Sequence, residues 1–541
     1  MSSVAGAARV TMALPATDPD GHAAEELREQ HASAGKAVAA ATFAMAIASG
    51  AQALLYLRAF GVNGKTDAFF AAFALYATFG VFSQSLRVTA VPLLVGERPR
   101  VSVREFYCSL AFIGGLVLIG TVPLAGPLSQ VLAPGVGAAD RQVAEQALPL
   151  LGTAMVLVLW TAGAATLLAV RNRFSRIASA YAIGAGVGLL TFLAVQSTAN
   201  ELSLGWSMLA TASVTFAIAL FALRGGETQA APAATPRPRR ILSNTLMLLG
   251  HTWVYLAFNG LYLITVAAVS RFEVGEATVV SYAYLYASYL VAGTGFALGM
   301  TRISDMARGA HGRWQTVLAD TVPSGFRYAM LISAPAIALL VAGGASLAGA
   351  IFPSSLSAHD VALLQLFAVL LLPWVVAAQL VNLLLPAMFA LGRARLVNLL
   401  AIPLVALQIA ATALGAFLLG APGAVGALAI APAAFAIVLL VNGAGERAGA
   451  LAREMARDGL RFIGIAGVVF GCGAAVATLA SSQAIGAMLA IVIGSLLYGA
   501  VLARTAPRQV QMLTGRVGRA ATSASPGDAA VAGITVAGQE R

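Results

Sequence analysis

Runs of twenty or more apolar residues recur along the whole chain, and few folds can accommodate them. A helix needs about 20 residues to cross the hydrocarbon core of a bilayer. Backbone amides and carbonyls in lipid must bond within their own segment, and the alternation of a barrel strand is absent, so each run reads as a helix. Fourteen can be drawn: 37–57, 67–94, 107–126, 146–170, 177–196, 203–223, 241–268, 277–301, 328–352, 361–390, 396–419, 424–443, 460–480 and 485–503. The expected fold is an all-α polytopic membrane protein. Composition agrees: 59% of the 541 residues are hydrophobic and 10% charged, against about 25% charged in soluble domains. A soluble globular enzyme, a disordered chain and a coiled coil are excluded on that ground.

The positions of the cations orient the helices. With the N-terminus in the cytoplasm and the runs alternating, 28 of the 33 Lys and Arg fall in cytoplasmic segments. Arg58, Lys65, Arg141 and Arg271 fall outside, and Arg87 lies within a run. Such a bias is the ordinary orientation signal of a multi-pass protein of the cell membrane, here with both termini cytoplasmic. It also accounts for the net charge of +11. The charge is an attraction for membrane lipids rather than a nucleic-acid surface, because no basic stripe carries interleaved aromatics. The first 35 residues are polar and hold Asp18, Asp20, Glu25, Glu26 and Glu29, which suits a cytoplasmic tail and not a signal peptide. The outside loops are too short to hold a folded domain.

Residues 224–240, RGGETQAAPAATPRPRR, read as a linker after the sixth run. Six is even, so the second group starts in the same orientation as the first, the arrangement of parallel repeats. Ala169-Val170-Arg171-Asn172-Arg173 after the fourth run has a counterpart in Ala390-Leu391-Gly392-Arg393-Ala394-Arg395 after the tenth, about 221 positions on. The expected organisation is a tail (1–36), a six-helix lobe (37–223), a linker (224–240), a second six-helix lobe (241–443), two additional helices (444–503) and a C-terminal tail (504–541).

Polar residues at membrane depth are costly unless paired or wetted, so they carry the functional signal. Asn244, His251, Tyr255, Asn259 and Tyr262 are spaced 7, 4, 4 and 3, one face of a helix. Thr42, Ser49, Gln52 and Tyr56 do the same in the first run. Either the two stripes line a shared water-accessible cavity, or they hydrogen-bond neighbouring helices together. His251 lies near mid-membrane and either binds an anionic headgroup when protonated, carries a coupling proton, or is a neutral histidine hydrogen-bonded within the bundle. Asp67 opens the second run, where its carboxylate serves a cavity or caps the free amides of a helix start. Arg87 either snorkels to headgroups or contacts a phosphate at the inner mouth.

Catalytic and cofactor signatures fail. Gly64-Lys65-Thr66 resembles the end of a P-loop, but Ala59 replaces its leading glycine. Cys108 and Cys472 sit in apolar runs and imply neither a disulfide nor a metal. No cofactor is expected, and the chain does not read as an enzyme.

The segment Gly61–Phe73, GVNGKTDAFFAAF, resembles the junction of the first two helices in the MurJ/MviN lipid II flippases of the multidrug/oligosaccharidyl-lipid/polysaccharide (MOP) exporter superfamily. Asn172-Arg173-Phe174-Ser175 is similar to a loop of that family, and Ser281–Met306 has similar spacing. The resemblance implies two six-helix lobes plus two C-terminal helices, alternating access, a lipid-linked saccharide or envelope precursor as cargo, and Asp67 as the family's acidic residue on helix 2. It implies a lipid-tail groove at about 460–503. Where the family places cavity arginines, this sequence has Ala46, Gln52, Gly80 and Leu285. The expected cargo is then a lipid-linked saccharide. The alternatives are a drug or small-molecule antiporter of the same superfamily, or a non-transporting scaffold for envelope-biosynthesis proteins.

Overall fold

The computed structural model describes residues 48–94, 102–170, 173–224, 238–296, 318–319, 321–342, 356–477 and 482–505. The expected N-terminal tail, the linker from 225 to 237 and the tail from 506 lie outside them, as do Thr42 and Ala46. The described chain is helical: α1 (48–60), α2 (Gly64–Leu94), α3 (Val103–Thr121), α4 (Ala125–Leu132), α5 (Ala138–Val170), α6 (Phe174–Val195), α7 (Ser203–Arg224), α8 (Pro238–Val269), α9 (Glu276–Val291), α10 (321–342), α11 (Ala358–Leu370), α12 (Leu372–Ala390), α13 (Ala394–Ala427), α14 (Ile430–Ala444), α15 (Ala448–Ala477) and α16 (Gln483–Thr505). Among the described residues, ten helices are long and apolar enough to cross a membrane. Their outward faces are greasy: Phe417 is 86% exposed, Leu419 71% and Phe221 68%. Such surfaces are stable against acyl chains and would be an aggregation liability in water.

Several boundaries depart from the apolar runs for identifiable reasons. α5 starts at Ala138 and α15 at Ala448, well before their runs, because helix continues through polar turns that hydropathy does not register. The run 361–390 is broken at Leu371, just ahead of Pro373. α13 contains a reversal at Gly420, whose φ of 66° and ψ of −146° are non-helical. Gly415 and Gly423 meet across this turn: a Cβ on Gly423 would lie 2.0 Å from the Gly415 carbonyl oxygen. The turn thus separates two successive apolar runs.

The chain forms two compact units, each discontinuous in sequence. The first contains Phe82–Ala125 and Gln146–Leu249 with the start of α1. Small residues set its packing. Ala164, Ala165, Leu168, Ile177, Ala180 and Ala219 form a buried cluster among α5, α6 and α7. A Cβ on Gly184 or Gly188 would collide with the hydroxyls of Thr215 or Thr211, each at 1.9 Å, so these glycines let α6 and α7 approach closely. The Ser207 hydroxyl donates to the Gly188 carbonyl at 2.8 Å.

The second unit contains Leu54–Val81, Gly126–Glu145 and the described residues from Gly250 on. Here α15 and α16 form a hairpin anchored to α10. Arg327 pairs with both Glu454 and Asp458, the Tyr498 hydroxyl donates to the Leu331 carbonyl at 3.1 Å, and Phe326 packs under Gly459.

One device occurs in each unit, at the N-cap of a helix. Arg173 donates to the Ala222 carbonyl near the end of α7, at 3.5 Å. Arg393 donates to the Asn442 carbonyl near the end of α14. In each case donor and acceptor are 49 residues apart. A cation over the unpaired carbonyls of a helix C-terminus is favourable in both.

Candidate functional site: a buried carboxylate joining α2 to α9

The clearest polar construction lies within the second unit at the start of α2. Asn63 caps this helix, its Oδ1 accepting from the amides of Lys65 at 3.0 Å and Thr66 at 3.1 Å. Asp67 is therefore not needed as the cap of its own helix. Its carboxylate, 2% exposed, turns to α9. Oδ2 accepts from the Gly275 amide at 2.6 Å. Oδ1 accepts from the Thr278 amide at 2.7 Å and the Thr278 hydroxyl at 2.6 Å. Thr66 and Thr278 hydroxyls meet at 3.0 Å.

The local sequence around α9 explains this borrowed cap. Gly275 occupies the N-cap position with φ of 99°, a conformation that favours glycine. A Cβ there would also strike Val62 at 2.3 Å. Glycine brings no side chain to cap the first amides, so Asp67 supplies the acceptor from 208 residues away. The positive end of the α9 dipole and the direct amide bonds together offset part of the cost of burying the charge.

The surroundings are tightly packed. Tyr56, fully buried, sits against Phe60, Phe69 and Phe70, with ring centroids 4.9–5.7 Å away. Phe70 meets Tyr282 edge-on at 4.9 Å. Glu276, at the first position of α9 and ahead of the apolar run, accepts from the Glu273 amide at 3.3 Å. Burial pushes its carboxyl above the ordinary range; the amide bond opposes this, and nearby Glu273 and Asp67 add to it.

Further along, the Thr78 hydroxyl donates to the Asn259 carbonyl at 3.3 Å. Asn259 is half-buried, and its side-chain amide donates to the Tyr255 carbonyl at 2.8 Å. Tyr255 is buried and stacks on Phe389 at 5.8 Å. Its hydroxyl has no hydrogen-bond partner among the described residues. Tyr262 stacks on Tyr284 at 3.7 Å, and Tyr284 adjoins Trp374 at 4.9 Å. The outcome is an uncharged, buried aromatic cluster on α8, α9 and α12.

The remaining candidates fall elsewhere. Gln52, in the first unit, is buried and donates to the Ala185 carbonyl at 3.4 Å. Ser49 and Asn244 are half-buried in that unit. The side chains of Arg87 and His251 lie outside the described part of their helices.

Sequence reasoning missed one polar cluster. Gln379 donates to Thr294 and to Ser333, the latter at 3.0 Å, where α9 widens into a π-helical turn over Ala292–Phe296. A lone glutamine and two hydroxyls on three separate runs give no local signal; the paired Gly293 and Gly295 were the available hint. Among the described residues no group of three or more His, Cys, Asp and Glu could hold a metal ion.

No family model matches the chain, and no curated protein matches it by sequence. Solved structures do match by fold. The lipid II flippase MurJ in an inward closed conformation superposes with a TM-score of 0.66 at 14% identity, covering 86% of this chain and 98% of that one. A multidrug resistance MATE family transporter of the MOP superfamily superposes in its outward-facing conformation with a TM-score of 0.56 at 17% identity, covering 77% and 96%. The same comparison with an inward-facing MATE structure gives 0.55, 15%, 76% and 96%. The fold of this chain is thus similar to that of these MurJ and MATE structures.

Proposed function

We propose that this chain is an alternating-access transporter of the MOP type, built as two six-helix lobes followed by two further helices. The Asp67 junction carries the reading. It binds α2, in the proposed first lobe, to α9, in the proposed second, through hydrogen bonds that a parting of the helices would break. A transporter needs such a reversible closure on one side of its cargo site. The cation bias supports a position for this closure on the outer side.

For the cargo, the uncharged aromatic cluster of α8, α9 and α12 favours a lipophilic or cationic small molecule. Aromatic faces attract cations and apolar groups, whereas a diphosphate calls for guanidinium groups. Gln52, Gly80 and Leu285 supply none, and the unpartnered Tyr255 hydroxyl offers one polar contact. The second reading is a lipid-linked saccharide, favoured by the larger share of the chain that superposes on MurJ than on the MATE structures.

Reconstituted proteoliposomes distinguish the two. Proton- or sodium-driven efflux of a fluorescent lipophilic cation supports the antiporter. Transfer of a lipid-linked saccharide to the opposite leaflet supports the flippase. Absence of both, in protein that retains its fold, sinks the transporter proposal and leaves an envelope scaffold.

A further inference from the structure

One face of α15 carries Arg453, Arg457 and Arg461, all exposed and spaced by four. That spacing stacks them in a stripe about 12 Å long. The opposite face buries Leu451, Met455, Phe462 and Ala466. Acids in the same turns are committed elsewhere, because Glu454 and Asp458 both hold Arg327. Two of the arginines use one donor each on backbone: Arg453 on the Gly449 carbonyl at 3.2 Å and Arg461 on the Thr505 carbonyl at 2.9 Å. Among the described residues the stripe has no carboxylate partner. Close to it the exposed surface turns apolar, with Leu460 at 72% and Val468 at 70%.

We infer that this stripe is a binding surface for anionic phospholipid headgroups of the leaflet that the cation bias assigns to the cytoplasm. The chemistry fits at three points. Guanidinium groups bind phosphate oxygens bidentately while their stems lie along apolar surface. The stripe sits beside lipid-facing side chains, which sets it at headgroup depth. Successive guanidinium groups about 6 Å apart along the helix are spread out, so they suit a row of headgroups rather than one enclosed ligand. The face toward α10 sets two carboxylates against the single Arg327 guanidinium, which leaves the lipid-facing side as the cationic one. The inference is independent of the cargo and of transport.

The test measures lipid retained by the full-length protein after extraction from mixed vesicles of 3:1 phosphatidylcholine to phosphatidylglycerol. The wild type is expected to retain phosphatidylglycerol in excess of its share of the mixture. An arginine at an anionic surface contributes roughly a five-fold preference. The triple variant R453Q/R457Q/R461Q is therefore expected to lower retention at this surface by at least about ten-fold, read as loss of the slowly exchanging pool. The variant R453K/R457K/R461K should keep part of it, and R58Q/R271Q on the opposite side should keep all. Thermal unfolding in pure phosphatidylcholine checks that the exposed substitutions leave the fold intact. Unchanged retention in the triple glutamine variant overturns the inference, as does equal loss in R58Q/R271Q. If inorganic phosphate alone stabilises delipidated protein as much as phosphatidylglycerol does, the site belongs to free phosphate and the inference is again overturned.

Discussion

Replacing Asp67 with alanine strips three donors of their acceptor: the Gly275 amide, the Thr278 amide and the Thr278 hydroxyl. A buried donor left unpaired costs about 1–3 kcal/mol, and loss of the charge from the α9 terminus adds roughly 0.3–1 kcal/mol. Water entering the opened junction recovers part of this. The net expectation is about 3 kcal/mol against the joined state, a factor of roughly 150 in its equilibrium. Asp67→Asn keeps one carbonyl oxygen for Thr278 but presents an NH2 group to the Gly275 amide, so about half the effect is expected. Spin labels at Lys65 and Val274, both exposed, report the separation of α2 and α9 in protein lacking Cys108 and Cys472. Wild type should give one short, narrow distance distribution, D67A a longer and broader one, and D67N an intermediate. If D67A leaves both the distances and the thermal stability unchanged, the reasoning about a borrowed cap is wrong.

Other perturbations address separate features. Arg327→Gln should loosen the α15–α16 hairpin by only about 1 kcal/mol, since the pairs are partly exposed and solvent screens them; a drop in melting temperature that vanishes in 1 M salt would be its signature. Gly423→Ala forces a methyl group against the Gly415 backbone and should cost about 1–3 kcal/mol by overpacking, seen as a lowered unfolding temperature in detergent; an unaltered temperature would show that the turn at Gly420 yields freely. Glu276 titrates higher in the fold than in the unfolded chain, so the folded state holds its proton more tightly. Its contribution to stability is present in acid and is lost as pH rises from the ordinary glutamate value through the raised one. Glu276→Gln should flatten that part of the stability–pH curve, and an identical curve in the variant would refute the assignment.

Much of the helical framework was legible because apolar length is a local property. α6 and α7 coincide with their runs to within a few residues, since both are apolar from end to end. α15 does not, because its first turns are built of arginines, acids and alanines outside the hydrocarbon. The Arg-x-Arg pairs after the fourth and tenth runs were visible as text, but that both reach a carbonyl 49 positions downstream needed three dimensions. At the site, Asp67 was recognisable as a carboxylate at a helix start. Its target was not, because the amides it serves begin at an unremarkable glycine some two hundred residues on. For the polar stripe of the first run, a helical wheel cannot say whether Gln52 meets solvent or, as here, the carbonyl of Ala185.

The glycine that opens α9 has a mechanical corollary. A helix that owns its cap remains wound wherever it travels, whereas this one depends on a neighbour's side chain. Should α2 withdraw, the leading coil of α9 loses its fastening in the same instant and can unravel by a turn. Displacement and local melting would then be a single event, with the energy of one acting as the brake on the other.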